Sequence, residues 1–62
     1  MHDRNAVQDG FFEIIQDVKT KRIDLLKYGQ KIKEIQPGRI LSIDELHEML
    51  IRERTEMFME GV

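Results

Sequence analysis

Asp44, His47 and Glu48 are the residues whose types and spacing come nearest to those of a metal site. On a helix, a carboxylate and an imidazole three residues apart can bind one metal ion, as they do in di-iron helical bundles. Such a site also needs carboxylates from neighbouring helices, and Glu13, Asp17 and Glu34 fall mostly off the apolar positions of the chain. We therefore interpret His47 as a solvated surface residue and expect neither a metal nor a cofactor.

The sequence offers no recognisable catalytic group. Ser42 has no evident base beside it, and four scattered glycines do not form a phosphate-binding loop. Cysteine is absent, which excludes disulfides and thiolate metal ligands. We therefore expect a protein that is not an enzyme.

Charge is distributed unevenly along the chain. The net charge is -2, but residues 19 to 39 carry a net +5 between flanking segments of -3 and -4. A run of cations can follow the phosphates of a nucleic acid. The candidate contacts are Lys19, Arg22, Lys27, Lys31 and Lys33. The overall negative charge and the acidic C-terminal segment oppose this interpretation, so a small DNA-associated protein is kept as an alternative function.

The apolar residues between positions 7 and 35 recur at alternating steps of four and three, with Lys21 as the one exception. They are Val7, Phe11, Ile14, Val18, Leu25, Tyr28, Ile32 and Ile35. A 3.5-residue repeat is typical of a long amphipathic helix that packs against another helix. The pattern predicts a first helix over about residues 5 to 36. In the alternative interpretation Gly29 ends that helix, and residues 30 to 41 form an irregular segment or a short β-hairpin.

Pro37 and Gly38 predict a break in the chain. After the break, Ser42 and Glu45 have the spacing of a capping box, which predicts a second helix over about residues 42 to 60. Glu53 occupies an apolar position of that helix, so we expect it at a solvated edge or against Lys21 across the hairpin. The predicted fold is therefore all-α, a two-helix antiparallel hairpin that forms a single domain over residues 1 to 62.

The two predicted helices differ in length, about 45 to 50 Å against about 27 Å. The front half of the long helix therefore lacks a partner within the chain, and exposed apolar residues there predict a protein interface. The interface residues are Val7, Phe11, Phe12, Ile14, Ile15 and Val18. A second copy would cover them in a dimeric four-helix bundle. We expect a regulator or adaptor that self-associates and binds a partner protein, or alternatively a purely structural assembly subunit.

Neither a targeting signal nor a membrane span is expected. Residues 1 to 5 lack the apolar run that follows the basic start of a secretory signal. No stretch approaches the roughly 18 consecutive apolar residues of a membrane helix. The expected location is the cytoplasm, with no membrane partner.

Overall fold

The computed structural model describes residues 3–60, with the backbone alone for residues 59 and 60, and in that range it contains four strands and one helix. The elements are β1 (Arg4–Asp9), β2 (Phe12–Asp17), β3 (Ile23–Lys27), β4 (Gln30–Ile35) and α1 (Ile43–Glu60). The strands form one antiparallel sheet in the order β1-β2-β3-β4. The predicted all-α hairpin is therefore wrong, and so are the coiled coil and the four-helix bundle that were built on it.

Two-residue turns join β1 to β2 and β3 to β4. Gly10 opens the first turn with a φ of 61°, and Tyr28 and Gly29 form the second with φ values of 53° and 77°. Positive φ at the first central residue, or at both, gives the turns whose twist matches that of a β-hairpin. The chain therefore reverses direction at two places where the sequence interpretation had a continuous helix.

A longer loop, residues 18–22, joins β2 to β3 and is organised by Asp17. The Asp17 carboxylate accepts hydrogen bonds from the backbone N–H groups of Lys19 and Thr20, at 2.9 and 3.3 Å. The backbone C=O of Asp17 accepts a further bond from Lys21 N–H at 2.8 Å. Lys21 has a φ of 62°. The polar residue that interrupts the apolar repeat is therefore a turn residue.

The core lies between α1 and one face of the sheet. Successive side chains of a strand point to opposite faces, and the register places the buried residues of neighbouring strands side by side. The buried apolar residues are Val7, Ile14, Ile23 and Leu25 from the sheet, and Leu41, Leu46, Met49 and Leu50 from the linker and helix. The helix packs mainly over β1 and β2, so the side of β4 that faces the helix is only partly covered.

The apparent helical repeat has a simple origin in this fold. Val7, Ile14 and Leu25 belong to the core face of the sheet. Phe11 and Tyr28 are turn residues that happen to continue the same spacing. The residues of the apparent repeat therefore come from several strands and two turns, and they do not form one face of a single helix.

The segment that leads into α1 is fixed by Gln16, a fully buried polar residue of β2. Gln16 Nε2 donates to the C=O of Leu41 at 3.0 Å, and Leu41 N–H donates to Gln16 Oε1 at 2.8 Å. Ser42 and Glu45 then form a capping box, since Ser42 N–H donates to the Glu45 carboxylate at 2.9 Å and Glu45 N–H donates to Ser42 Oγ at 3.2 Å. The helix starts at Ile43, close to the predicted start.

Within residues 3–60, no helix has both the length and the apolar content that a transmembrane segment requires.

Candidate functional site

Phe11, Tyr28 and Lys27 form what we call the aromatic tip, at the end of the sheet where the two short turns lie side by side. The N–H of Tyr28 donates to the C=O of Phe11 at 2.9 Å, which ties one turn to the other. The two rings are tilted by 30° with their centroids 4.8 Å apart. Phe11 is nevertheless 63% exposed and Tyr28 67% exposed. The tip thus presents two aromatic side chains to solvent on a hydrogen-bonded backbone.

The Lys27 ammonium lies beside these rings. Its Nζ is 5.9 Å from the ring centroid of Tyr28 and 5.6 Å from that of Phe12, which is a cation–π arrangement. Among the side chains that the structure describes, Lys27 has no carboxylate partner. The rings hold the cation in place, and its charge remains available to an acidic group from outside.

Tyr28 occupies a backbone conformation that its residue type disfavours. Its φ of 53° is in the left-handed region, which costs an L-residue about 1 to 2 kcal/mol. Asn, Asp or Gly adopts this conformation more readily. The ring contact with Phe11 contributes about 0.5 to 1.5 kcal/mol, so the two terms roughly cancel. Stability alone therefore does not account for a tyrosine here, and strained positions of this kind cluster at functional sites.

The residues predicted as a protein interface do not lie on one surface. Val7 and Ile14 are buried in the chain's own core and offer nothing to a partner. Phe12 packs partly against that core. Ile15 is half-buried on the opposite face of the sheet, and Val18 is exposed at the far end of β2. Of the predicted set, Phe11 alone is an exposed member of the aromatic tip.

The basic residues predicted as nucleic-acid contacts are dispersed over the fold. Lys19 and Arg22 are in the β2–β3 loop, at the opposite end of the sheet from Lys27. Lys31 lies on the face of the sheet away from the helix, and Lys33 on the helix side. Four of the five have carboxylate partners. The pairs are Lys19 with Asp3 at 3.6 Å, Arg22 with Glu34 at 3.8 Å, Lys31 with Asp24 at 3.3 Å and with Glu34 at 2.7 Å, and Lys33 with Glu53 at 3.0 Å.

The ion pairs of β3 and β4 shift the pKa values of their members. Hydrogen bonds to Glu34 and then to Asp24 raise the pKa of Lys31. In turn, hydrogen bonds from Lys31 and from Gln36 lower the pKa of Glu34. These groups neutralise one another across the helix-free face. The predicted basic face is therefore absent as a continuous surface.

A shallow open groove lies between β4 and the C-terminal half of α1. It is lined by Ile32, Lys33, Glu53, Glu56 and Met57. Its volume of about 240 Å³ is below the roughly 300 to 1,000 Å³ of typical small-molecule sites. Lys33 Nζ donates to both carboxylate oxygens of Glu53 at 3.0 Å. The cation that meets Glu53 is thus Lys33, and not Lys21 as the hairpin interpretation suggested.

In the part of the chain that the structure describes, no three His, Asp or Glu side chains are grouped so that they could hold a metal ion. His47 and Asp44 are both exposed on the helix.

Tyr28 is the functional candidate that sequence reasoning missed. Its spacing from Leu25 and Ile32 fits the apparent repeat, so the pattern predicts that Tyr28 lies on the apolar face of a helix. The useful signal was Gly29, because glycine readily adopts the positive φ that a two-residue hairpin turn requires. The contact between Phe11 and Tyr28, by contrast, depends on the pairing of β2 with β3 and could not be read from local pattern.

No protein-family model matches this chain, and neither a curated protein nor a solved structure matches it. Its function therefore has to be inferred from its own surfaces.

Proposed function

We propose that this chain is a small non-enzymatic module that binds a partner protein through the aromatic tip. The observation that carries the proposal is the exposure of Phe11 and Tyr28, about two thirds each, on two turns that are bonded together. Aromatic residues are enriched in protein interfaces, and tyrosine is among the residue types that most often contribute a large share of the binding energy. Full burial of a large apolar side chain contributes about 1.5 to 3 kcal/mol, and a preorganised backbone reduces the entropy lost on binding.

Lys27 defines the chemistry of the partner. Its ammonium is held by rings rather than by a carboxylate. A matching surface would have an apolar pocket for Phe11 and Tyr28, flanked by an Asp or Glu side chain. The acidic group would gain a charge-assisted hydrogen bond that the free protein lacks.

The arrangement of cations favours a protein partner over a nucleic acid. Aromatic side chains can stack on bases, but binding of a strand also needs cations that follow its phosphates. Lys19, Arg22 and Lys31 lie in other parts of the fold and are already partnered. The DNA-associated alternative is tested below by titration with DNA. The cytoplasmic location stays a prediction.

Affinity capture with matched variants tests the proposal. The wild-type chain, a Phe11→Ser/Tyr28→Asn double variant and a Val18→Ser control would be used as bait in extract of the organism that encodes the chain. Asn suits the left-handed turn position, so the fold is retained, and Val18 is an exposed apolar residue at the other end of β2. We expect a protein that wild type and control retain equally and that the double variant loses. Retention of the same proteins by all three would contradict the proposal.

Tyrosine fluorescence separates a protein partner from a nucleic acid. Tyr28 is the only tyrosine and the chain has no tryptophan, so the emission reports directly on the tip. We expect no change on titration with single-stranded DNA at low salt. Saturable quenching that weakens steeply with added salt would contradict protein binding and favour the DNA-associated alternative.

A further inference from the structure

The two edges of the sheet are protected to different degrees. The β4 edge carries Lys31, Lys33 and Glu34, and its register shifts between Leu25 and Leu26 of the neighbouring strand. Charged side chains and bulges are the features by which natural edge strands avoid pairing with other chains. The β1 edge has an uninterrupted register and carries charge only at its two ends. It is therefore an unprotected template for another strand.

The backbone of β1 shows which groups are unpaired. Val18 N–H donates to the C=O of Asp3 at 2.8 Å, which identifies these two residues as a hydrogen-bonded pair of the ladder. Such pairs alternate along an antiparallel ladder. The N–H and C=O groups of every second residue of β1 therefore face outward, and these residues are Arg4, Ala6 and Gln8.

An apolar stripe of α1 overhangs the same edge. The ion pair of Arg54 with Asp9 identifies the side of the helix that lies above the end of β1. At about 100° per residue, Ile43, Ile51 and Phe58 lie within about 60° of Arg54 around the helix axis. They are 49%, 51% and 80% exposed. Glu53, which is paired with Lys33 of β4, is about 100° from Arg54 around the axis and is buried on the face that packs on the sheet.

We propose that the β1 edge and this stripe together bind a second copy of the chain about a two-fold axis. Two copies of β1 would pair antiparallel through their outward-facing N–H and C=O groups, so that the sheets join into one of eight strands. The two helices would then lie side by side and antiparallel above the junction. Two-fold symmetry requires a self-complementary surface, and the spacing of the stripe provides one. Ile51 is eight residues from Ile43 and seven from Phe58, so Ile51 meets its copy while Ile43 meets Phe58 of the second copy.

The carboxylates at the two ends of the β1 edge, those of Asp3 and Asp9, have partners of opposite charge within the chain. Asp3 pairs with Lys19 and Asp9 with Arg54. The surface shares no residue with the aromatic tip, so self-association and binding of the partner protein are tested by different variants.

Sedimentation velocity over a range of concentrations, with three variants, tests the inference. Ile51→Asp should raise the dimer dissociation constant about 30-fold or more, the loss expected for a central interface residue. Ala6→Pro removes an outward-facing N–H that has no partner among residues 3–60, and it should weaken the dimer as well. Ile32→Asp makes the same chemical change at the opposite edge and should leave the dimer unchanged.

Circular dichroism of each variant would confirm that it is folded. A wild-type chain that stays monomeric at the highest attainable concentration would overturn the inference. So would an Ile51→Asp chain that dimerises as tightly as wild type. If Ala6→Pro disrupts the strand itself, the contrast between Ile51→Asp and Ile32→Asp still decides the question.

Discussion

Replacement of Gln16 by Met is expected to destabilise the fold strongly, although the change preserves side-chain volume. Gln16 is fully buried and makes two hydrogen bonds to Leu41, one to its N–H and one to its C=O. A thioether can fill the same space but cannot replace both bonds. The substitution would therefore leave two backbone groups of a buried residue without partners, at the point where the chain leaves the sheet and enters α1.

The magnitude follows from those two groups. A buried donor or acceptor left unsatisfied costs about 1 to 3 kcal/mol, and removal of the amide from the interior recovers part of that cost. We expect a net loss of about 2 to 4 kcal/mol in the free energy of unfolding. A chain of this length has a total stability of only about 3 to 9 kcal/mol. The substitution should thus lower the melting temperature by about 10 °C or more.

Thermal and urea denaturation followed by far-ultraviolet circular dichroism would measure the loss. The matched control is Gln8→Met, the same change at an exposed position of β1, which should shift stability by less than about 0.5 kcal/mol. If Gln16→Met is as stable as Gln8→Met, then Gln16 does not anchor the linker as described, and the reasoning about buried polar groups in this fold is refuted.

Three further substitutions test other parts of the structure. Lys21→Asn should raise the free energy of unfolding by about 1 kcal/mol, because Asn tolerates the left-handed φ of 62° better than Lys; an unchanged melting temperature would argue against strain in this loop. Hydrogen bonds from Arg39 and from the backbone at Ser42 lower the pKa of Glu45 from 4.5 to about 2. The ionised carboxylate therefore stabilises the fold above pH 4.5, and this contribution is lost as the pH falls toward 2. The melting temperature of wild type should be higher than that of Glu45→Gln at pH 7, and the difference should shrink as the pH is lowered. A difference that is undiminished at pH 2 would contradict this. Lys33→Met should destabilise the fold by about 1 to 2 kcal/mol, because the buried Glu53 carboxylate loses its ion-pair partner and faces an apolar side chain instead. The double variant Lys33→Met/Glu53→Met should recover most of this loss. Urea denaturation of the single and double variants decides this, and a double variant no more stable than the single one would disprove it.

Local signals were sufficient to locate the helix. Ser42 and Glu45 supply a cap by side-chain chemistry alone, and both hydrogen bonds of that cap are present at the start of α1. Leu46 and Leu50 continue with helical spacing and are buried. These features involve residues close together in sequence, so the pattern was informative without knowledge of the rest of the fold.

The sheet could not be recognised from the spacing of apolar residues. Phe11 and Tyr28 are large and apolar but lie in turns. Without them, the apolar residues of the strands would not have shown a continuous 3.5-residue repeat. Better signals were the Asp9–Gly10 pair, which favours a hairpin turn, and the alternation of Ile23 and Leu25 around Asp24. A repeat built on hydrophobicity alone does not distinguish a residue that packs from one that is exposed for binding.

The candidate site was accessible to sequence reasoning only in part. Phe11 was predicted to lie in an interface, but on a helical surface shared with Val7 and Ile14, which are core residues. Its actual neighbours, Tyr28 and Lys27, are brought to it by the pairing of β2 with β3. That register is a long-range property, and no local pattern in the chain specifies it.

Site-specific photo-crosslinking in cells tests the role of the aromatic tip most directly. A photoreactive phenylalanine analogue at Phe11 keeps the aromatic character of the residue, and the same analogue at Val18 is the control. Binding through the tip predicts a covalent adduct with a protein other than this chain from position 11 and none from position 18. Adducts of equal yield at both positions, or no adduct at position 11, would contradict the proposed function.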